Sequence, residues 1–178
     1  MKVSLREIRL SDTANIVRWR NSDDVRRNLF TQNDLTEEEH INWLHSKVET
    51  GMCAQYIIQV DNDDTIHDVG TTFIKGIDRE KLEGEFGIFI GDSQYRGKHL
   101  ASLASQEMLR IGFQELHLQR VFLSVFADNT PAIKSYLKVG FNTLKTTDIV
   151  NNKKVLLMEI KAANFESPTI CKNNFFNT

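Results

Sequence analysis

The chain has 178 residues, 40% of them apolar and 26% charged, with a formal net charge of -2 at pH 7; this predicts one globular domain with a full core. The near-balanced charge excludes a general attraction for nucleic acid or an anionic membrane, so any anion site must be local. No apolar run approaches the roughly 20 residues of a membrane span, and Cys53 and Cys171 have neither metal-type spacing nor a disulfide framework, so a cytoplasmic protein without a metal site is expected.

In chain order, residues 3–10 alternate apolar and polar and predict a first strand rather than a signal peptide. Ser11-Asp12 supplies an N-cap for a helix that carries Ile16, Val17, Trp19 and Arg20, and residues 23–30 predict a second, short helical piece. Thr36 and Glu39 form a capping box ahead of a helix with Ile41, Leu44 and Val48 on one face. The period then changes to that of strands, at residues 54–60, 69–74 and 85–90, with a turn at residues 61–64. A long helix with a broad apolar face follows Gly97, then a buried-looking strand at 120–126. The next helix spans residues 130–139 and ends at Gly140. A hairpin of residues 141–149 and 154–160 closes the pattern. The elements predict one mixed α/β (α+β) domain over residues 1–161, and residues 162–178, which have no period, a loose tail.

The first chemical signal is Gln94-Tyr95-Arg96-Gly97-Lys98-His99-Leu100-Ala101, a basic, glycine-bearing turn leading into a helix. A helix start offers unpaired N–H groups and the positive end of the dipole, which suits phosphates. The spacing fits neither a Walker loop nor a dinucleotide fingerprint. The second signal is Asn129-Thr130-Pro131-Ala132, through Tyr136 to Gly140-Phe141, a capped helix about thirty residues further on.

Together with Glu85, these motifs resemble the GNAT family of acetyl-CoA-dependent N-acetyltransferases: Arg96-Gly97-Lys98-x-Leu100-Ala101 stands for Arg/Gln-x-x-Gly-x-Gly/Ala. The resemblance covers about residues 3–160. It implies a mostly antiparallel mixed sheet of about seven strands, splayed between the fourth and fifth and flanked by four to five helices. It further implies acetyl-CoA with its pantetheine arm against the main chain of Ile88, Phe89 and Ile90. Its pyrophosphate would lie on the N–H groups of Arg96, Gly97, Lys98, His99, Leu100, Ala101 and Ser102, with Asn129 capping a helix beside it. Tyr136 is implied as the acid that protonates the coenzyme A sulfur, and Glu85 as the base, direct or through water. His99 replaces the family's usual glycine. If it lies in the first helical turn its dihedrals suit any residue, and the replacement costs clearance only.

The N-terminal third is expected to choose the amine. Trp19-Arg20-Asn21 and the later Glu38-Glu39-His40 resemble GNAT enzymes that acetylate a nucleotide-linked 4-amino sugar, as in the pseudaminic-acid pathway. That reading makes Trp19, Arg20, Asn21, Arg26, Phe30, His40 and Trp43 the acceptor residues. Arginines would meet a diphosphate, indoles stack on a ring, and His40 bonds a hydroxyl. Alternatives are a protein N-terminus, a polyamine, or non-catalytic binding of acyl-CoA. A homodimer is compatible with the sequence.

Overall fold

A computed structural model describes residues 2–62 and 65–166. The strands are β1 (Lys2–Glu7), β2 (Cys53–Asn62), β3 (Thr65–Asp78), β4 (Glu83–Ile90), β5 (Arg120–Phe126), β6 (Asn142–Val150) and β7 (Lys153–Lys161). They form one seven-stranded sheet in the order β1-β2-β3-β4-β5-β7-β6. Every pairing is antiparallel except β4 with β5. That parallel pair is short: Glu83↔Arg120, Gly84↔Val121 and Glu85↔Phe122, after which the strands separate. The expected sheet, with its splay between the fourth and fifth strands, is present.

Five α-helices cover the two faces: α1 (Thr13–Asn21), α2 (Asp23–Arg26), α3 (Glu37–Trp43), α4 (Leu100–Arg110) and α5 (Thr130–Lys138). Strand alternation explains which residues go where. Ile74, Phe86, Val121 and Leu123 point to the face under α4, where they form the main core with Met108, Leu109, Tyr136 and Phe141. On the opposite face Ile57 and Phe89 pack with Ile16 and Trp19 of α1. Glu85 and Gly87 alternate with Phe86 and so share the α1 face with Phe89.

Several local expectations need revising. Asp12 makes no side-chain cap to α1. Its two carboxylate oxygens each take a guanidinium N–H of Arg6 at 2.8 Å, and Oδ2 also takes the Arg9 N–H. A bidentate charged pair outweighs a single neutral cap bond. Thr36 and Glu39 do form the capping box. The face beyond it breaks, because residues Leu44–Val48 widen into a π-turn. β3 runs past Ile74 to Asp78, and the final hairpin turns on two residues, Asn151 and Asn152, both with positive φ, rather than four. Gly140 ends α5 at φ 101° as anticipated. Of the expected turn at 61–64, residues 63 and 64 lie outside the described residues, as do Cys171 and 167–178. Ala162–Asn164 forms one 3-10 turn, and Phe165 packs on Phe113 with ring centroids 5.2 Å apart.

Candidate active site

Where β4 and β5 part, a cleft of about 1010 Å³ opens between the sheet, α1–α3, the start of α4 and α5. Beyond Glu85 the β5-facing side of β4 has no strand partner, so its main chain can bind an extended ligand. Ile88, Phe89 and Ile90 line this stretch. The carbonyl of Ile90 is already taken, by Arg96 Nε at 3.0 Å.

That bond is one of three that fix Arg96. Its guanidinium also donates to the Gly91 carbonyl at 2.9 Å and to Asp24 Oδ2 at 2.7 Å. Arg96 therefore staples the loop to the end of β4 and to α2, so its charge in the basic turn is already engaged. Lys98 stands exposed over the Tyr95 ring, 5.1 Å from its centroid, and does not line the cleft. Gly97, His99, Leu100, Ala101 and Ser102 do line it. The N–H groups of Leu100, Ala101 and Ser102, in the first turn of α4, have no acceptor among the described residues, an arrangement suited to an anion.

His99 is not in that first turn. It is the N-cap of α4, with φ 60° and ψ 9°. The family's glycine is therefore favoured here for its left-handed backbone, contrary to the expectation that only clearance matters. The imidazole is exposed, and histidine is among the side chains enriched in this region.

At the inner end of the wedge lies Tyr136, buried on α5 with its ring edge-on to Phe86 and Phe141 at 6.0 and 5.8 Å. Among the described residues nothing hydrogen-bonds its hydroxyl. Burial pushes its pKa up to about 12, so the phenol is protonated at neutral pH. Asn129 lines the cleft and caps α5, its Oδ1 accepting from Ala132 N at 3.4 Å. Ser102 and Ser135 hydrogen-bond across α4 and α5 at 2.9 Å. Glu85 lies on the cleft floor, 32% exposed, with Oε2 3.3 Å from Lys75 Nζ.

The other half of the cleft contains Arg20, Phe30, His40 and Trp43, as expected. Arg20 donates to the carbonyls of Thr31 and Asn33 at 2.9 and 2.7 Å. Burial lowers its pKa, opposed by the nearby charges of Glu39 and Asp34. His40 is 3% exposed, with Nδ1 3.0 Å from Thr13 Oγ1 and no partner for Nε2. Burial holds its pKa below the ordinary value, against the pull of Asp12, so the ring is neutral at pH 7. Trp43 Nε1 donates to Gln55 at 3.1 Å, which fixes the indole.

Trp19, Asn21 and Arg26 do not line the cleft. Trp19 is a core residue packed so tightly on Gly91 that a Cβ there would lie 2.1 Å from its ring. Asn21 is bonded through both ends of its amide to the main chain of Leu35. Arg26 pairs with Asp23 and Asp34 on the surface. Their proximity in sequence to Arg20 was misleading, because a helix turns successive residues to different sides. Conversely Gln55, Phe73 and Lys75 line the floor without having been singled out. The signal was the alternation of β3: Phe73 pairs with Gly87 and Lys75 with Glu85, so both share Glu85's face.

The sequence matches the acetyltransferase (GNAT) domain family over residues 2–142. The chain belongs to the GNAT acetyltransferase family. As such it is an acetyl-CoA-dependent N-acetyltransferase, and the open edge of β4 with the first turn of α4 fits that co-substrate. It is similar to the uncharacterized N-acetyltransferase p20 of Bacillus licheniformis, at 27% identity over 143 residues and 79% of each chain. A shorter stretch of 63 residues is 40% identical to the L-amino acid N-acetyltransferase AaaT of Escherichia coli K12, covering 35% of this chain and 38% of that protein. In fold it is similar to the spermidine N-acetyltransferase of Vibrio cholerae solved with CoA and spermine. There the TM-score is 0.81 at 19% identity, over 91% of this chain and 96% of that one. Among the described residues no helix is long and apolar enough to cross a membrane, and no cluster of three or more potential ligands could hold a metal ion.

Proposed function

We propose that this GNAT enzyme acetylates the primary amine of a small acceptor that also carries an anionic group, with a nucleotide-linked 4-amino deoxy sugar as that acceptor. The observation that carries this reading is Arg20. Its guanidinium is held on the cleft wall by two main-chain carbonyls, partly desolvated, and hydrogen-bonded to no carboxylate among the described residues. Such a cation is a seat for phosphate or carboxylate oxygens. Trp43, fixed by Gln55, and Phe73 add aromatic surface for a flat ring.

Bound acetyl-CoA supplies the thioester from which the acetyl group is transferred. The unpaired edge of β4 and the first-turn N–H groups of α4 bind and orient it. Glu85 has Oε2 on Lys75 and Oε1 without a partner among the described residues, and Oε1 takes the amine proton directly or through water. Tyr136 Oη, kept neutral by burial, holds the proton that leaves with the thiol.

A polyamine acceptor would need unmatched carboxylates, and the three that line the cleft among the described residues are each engaged: Asp24 by Arg96, Glu85 by Lys75, and Glu39 by the N–H and hydroxyl of Thr36. The second reading is an amino acid, whose carboxylate Arg20 would equally suit. Purified protein should release thiol from acetyl-CoA with a UDP-linked 4-amino-6-deoxy sugar faster than with amino acids, spermidine or a ribosomal-protein N-terminal peptide. Turnover with amino acids alone would replace the sugar by the second reading. Turnover with spermidine or the peptide alone would overturn the proposal.

A further inference from the structure

We infer that Lys75 is a specificity-determining residue: by matching Glu85 it keeps the cleft closed to polyamines and open to anion-bearing amines. The inference rests on the anionic-acceptor reading of the same site. Lys75 and Glu85 sit directly opposite each other on β3 and β4, 3.3 Å apart, and both project onto the cleft floor. At 39% and 32% exposure neither is buried, so packing alone does not account for the pair.

Lys134 and Lys138 line the cleft from α5, away from its floor, and the two cleft arginines are occupied differently. Arg96 donates to the carbonyls of Ile90 and Gly91 and to Asp24, and Arg20 to those of Thr31 and Asn33. Asp24 has a further partner in Arg27 at 2.8 Å, so loss of one cation leaves it matched. Glu39 is held by the N–H and hydroxyl of Thr36 at its own helix start. Glu85 has one cation, on a flexible stem, and among the described residues that ammonium has no bond besides Glu85. Lys75 therefore cancels the floor's negative charge and keeps N–H donors for an anionic acceptor. Without it, Glu85 Oε2 is unmatched and attracts a second ammonium, the feature a polyamine site requires, while Oε1 still serves the reacting amine.

The test compares kcat/KM for spermidine and for a UDP-linked 4-amino-6-deoxy sugar in the full chain and in its Lys75→Gln, Lys75→Met and Lys75→Arg variants. Thermal melting and acetyl-CoA binding report folding. Both neutral variants should raise the spermidine-to-sugar ratio on the order of tenfold, mainly through KM, and Lys75→Arg should restore the parent ratio. An unchanged ratio in whichever neutral variant folds, or an equal change in Lys75→Arg, overturns the role of Lys75 alone. Preference of the parent enzyme itself for spermidine overturns the anionic-acceptor reading as well, and is seen before any variant is made.

Discussion

The side-chain amide of Asn151 donates to the backbone carbonyl of Phe30 at 3.0 Å, tying the β6–β7 turn to the loop after α2. The Phe30 ring lies edge-on against Phe126 at the end of β5, with centroids 4.7 Å apart. Residues 28–31, which line the cleft, are thus strapped to the C-terminal strands. Asn151 has φ 51°, so Asn151→Gly keeps the turn and removes only the strap. It should raise the acceptor KM several-fold, lower stability by about 1 kcal/mol, and leave the acetyl-CoA affinity within about twofold. Steady-state kinetics and isothermal titration check both halves; an unmoved KM would detach the strap from acceptor binding.

Tyr136→Phe should cut kcat by roughly 10²-fold or more and leave acetyl-CoA affinity nearly unchanged. Among the described residues the hydroxyl has no partner to orphan, so the melting temperature should hardly move. With the phenol pKa pushed up to about 12, its ionisation cannot cause any fall in kcat between pH 7 and 9. A variant as fast as the parent enzyme would remove the acid role.

His99→Gly should relieve the left-handed backbone strain and raise stability by up to about 1 kcal/mol, since glycine adopts that region freely but gives back part of the gain as chain entropy. Chemical denaturation measures the sign. Acetyl-CoA affinity should stay within a few-fold, because the proposed seat is main chain. A large gain in affinity would show that the imidazole obstructs it.

This position shows where the sequence stops being legible. Strand and helix periods, the capping box and Gly140 place nearly every element, because those signals are local. The dihedral of His99 depends on how the loop joins β4 to α4. The use of Arg96 depends on carbonyls that only the folded strand end presents. Trp19 and Arg20 are neighbours in sequence with opposite fates, and the exact helix phase against the sheet decides between them. Lys75 escaped notice because its importance lies in the register of β3 on β4.

His40 is buried, and its pKa is lowered mainly by desolvation. A group with a depressed folded-state pKa contributes stability above its unfolded value, about 6.5, and that contribution is lost as pH falls through the folded pKa. The drop in unfolding free energy from pH 7 to pH 5 should therefore be smaller in His40→Gln than in the parent enzyme. Equal pH dependence, measured by urea titration at both values, would show that His40 is not the group responsible.

The two walls of the cleft come from separate stretches of chain. α1–α3 and their loops all precede β2, whereas the open edge of β4, the α4 start and α5 all follow β3. Insertions or substitutions between residues 13 and 48 that spare Asp24, held by Arg96, and Phe30, strapped to Asn151, can thus reshape one wall without redrawing the other. On the proposed reading the architecture is modular in inheritance: a lineage can change its amine while keeping its acyl donor, and transplanting that single segment is the natural unit of such a change.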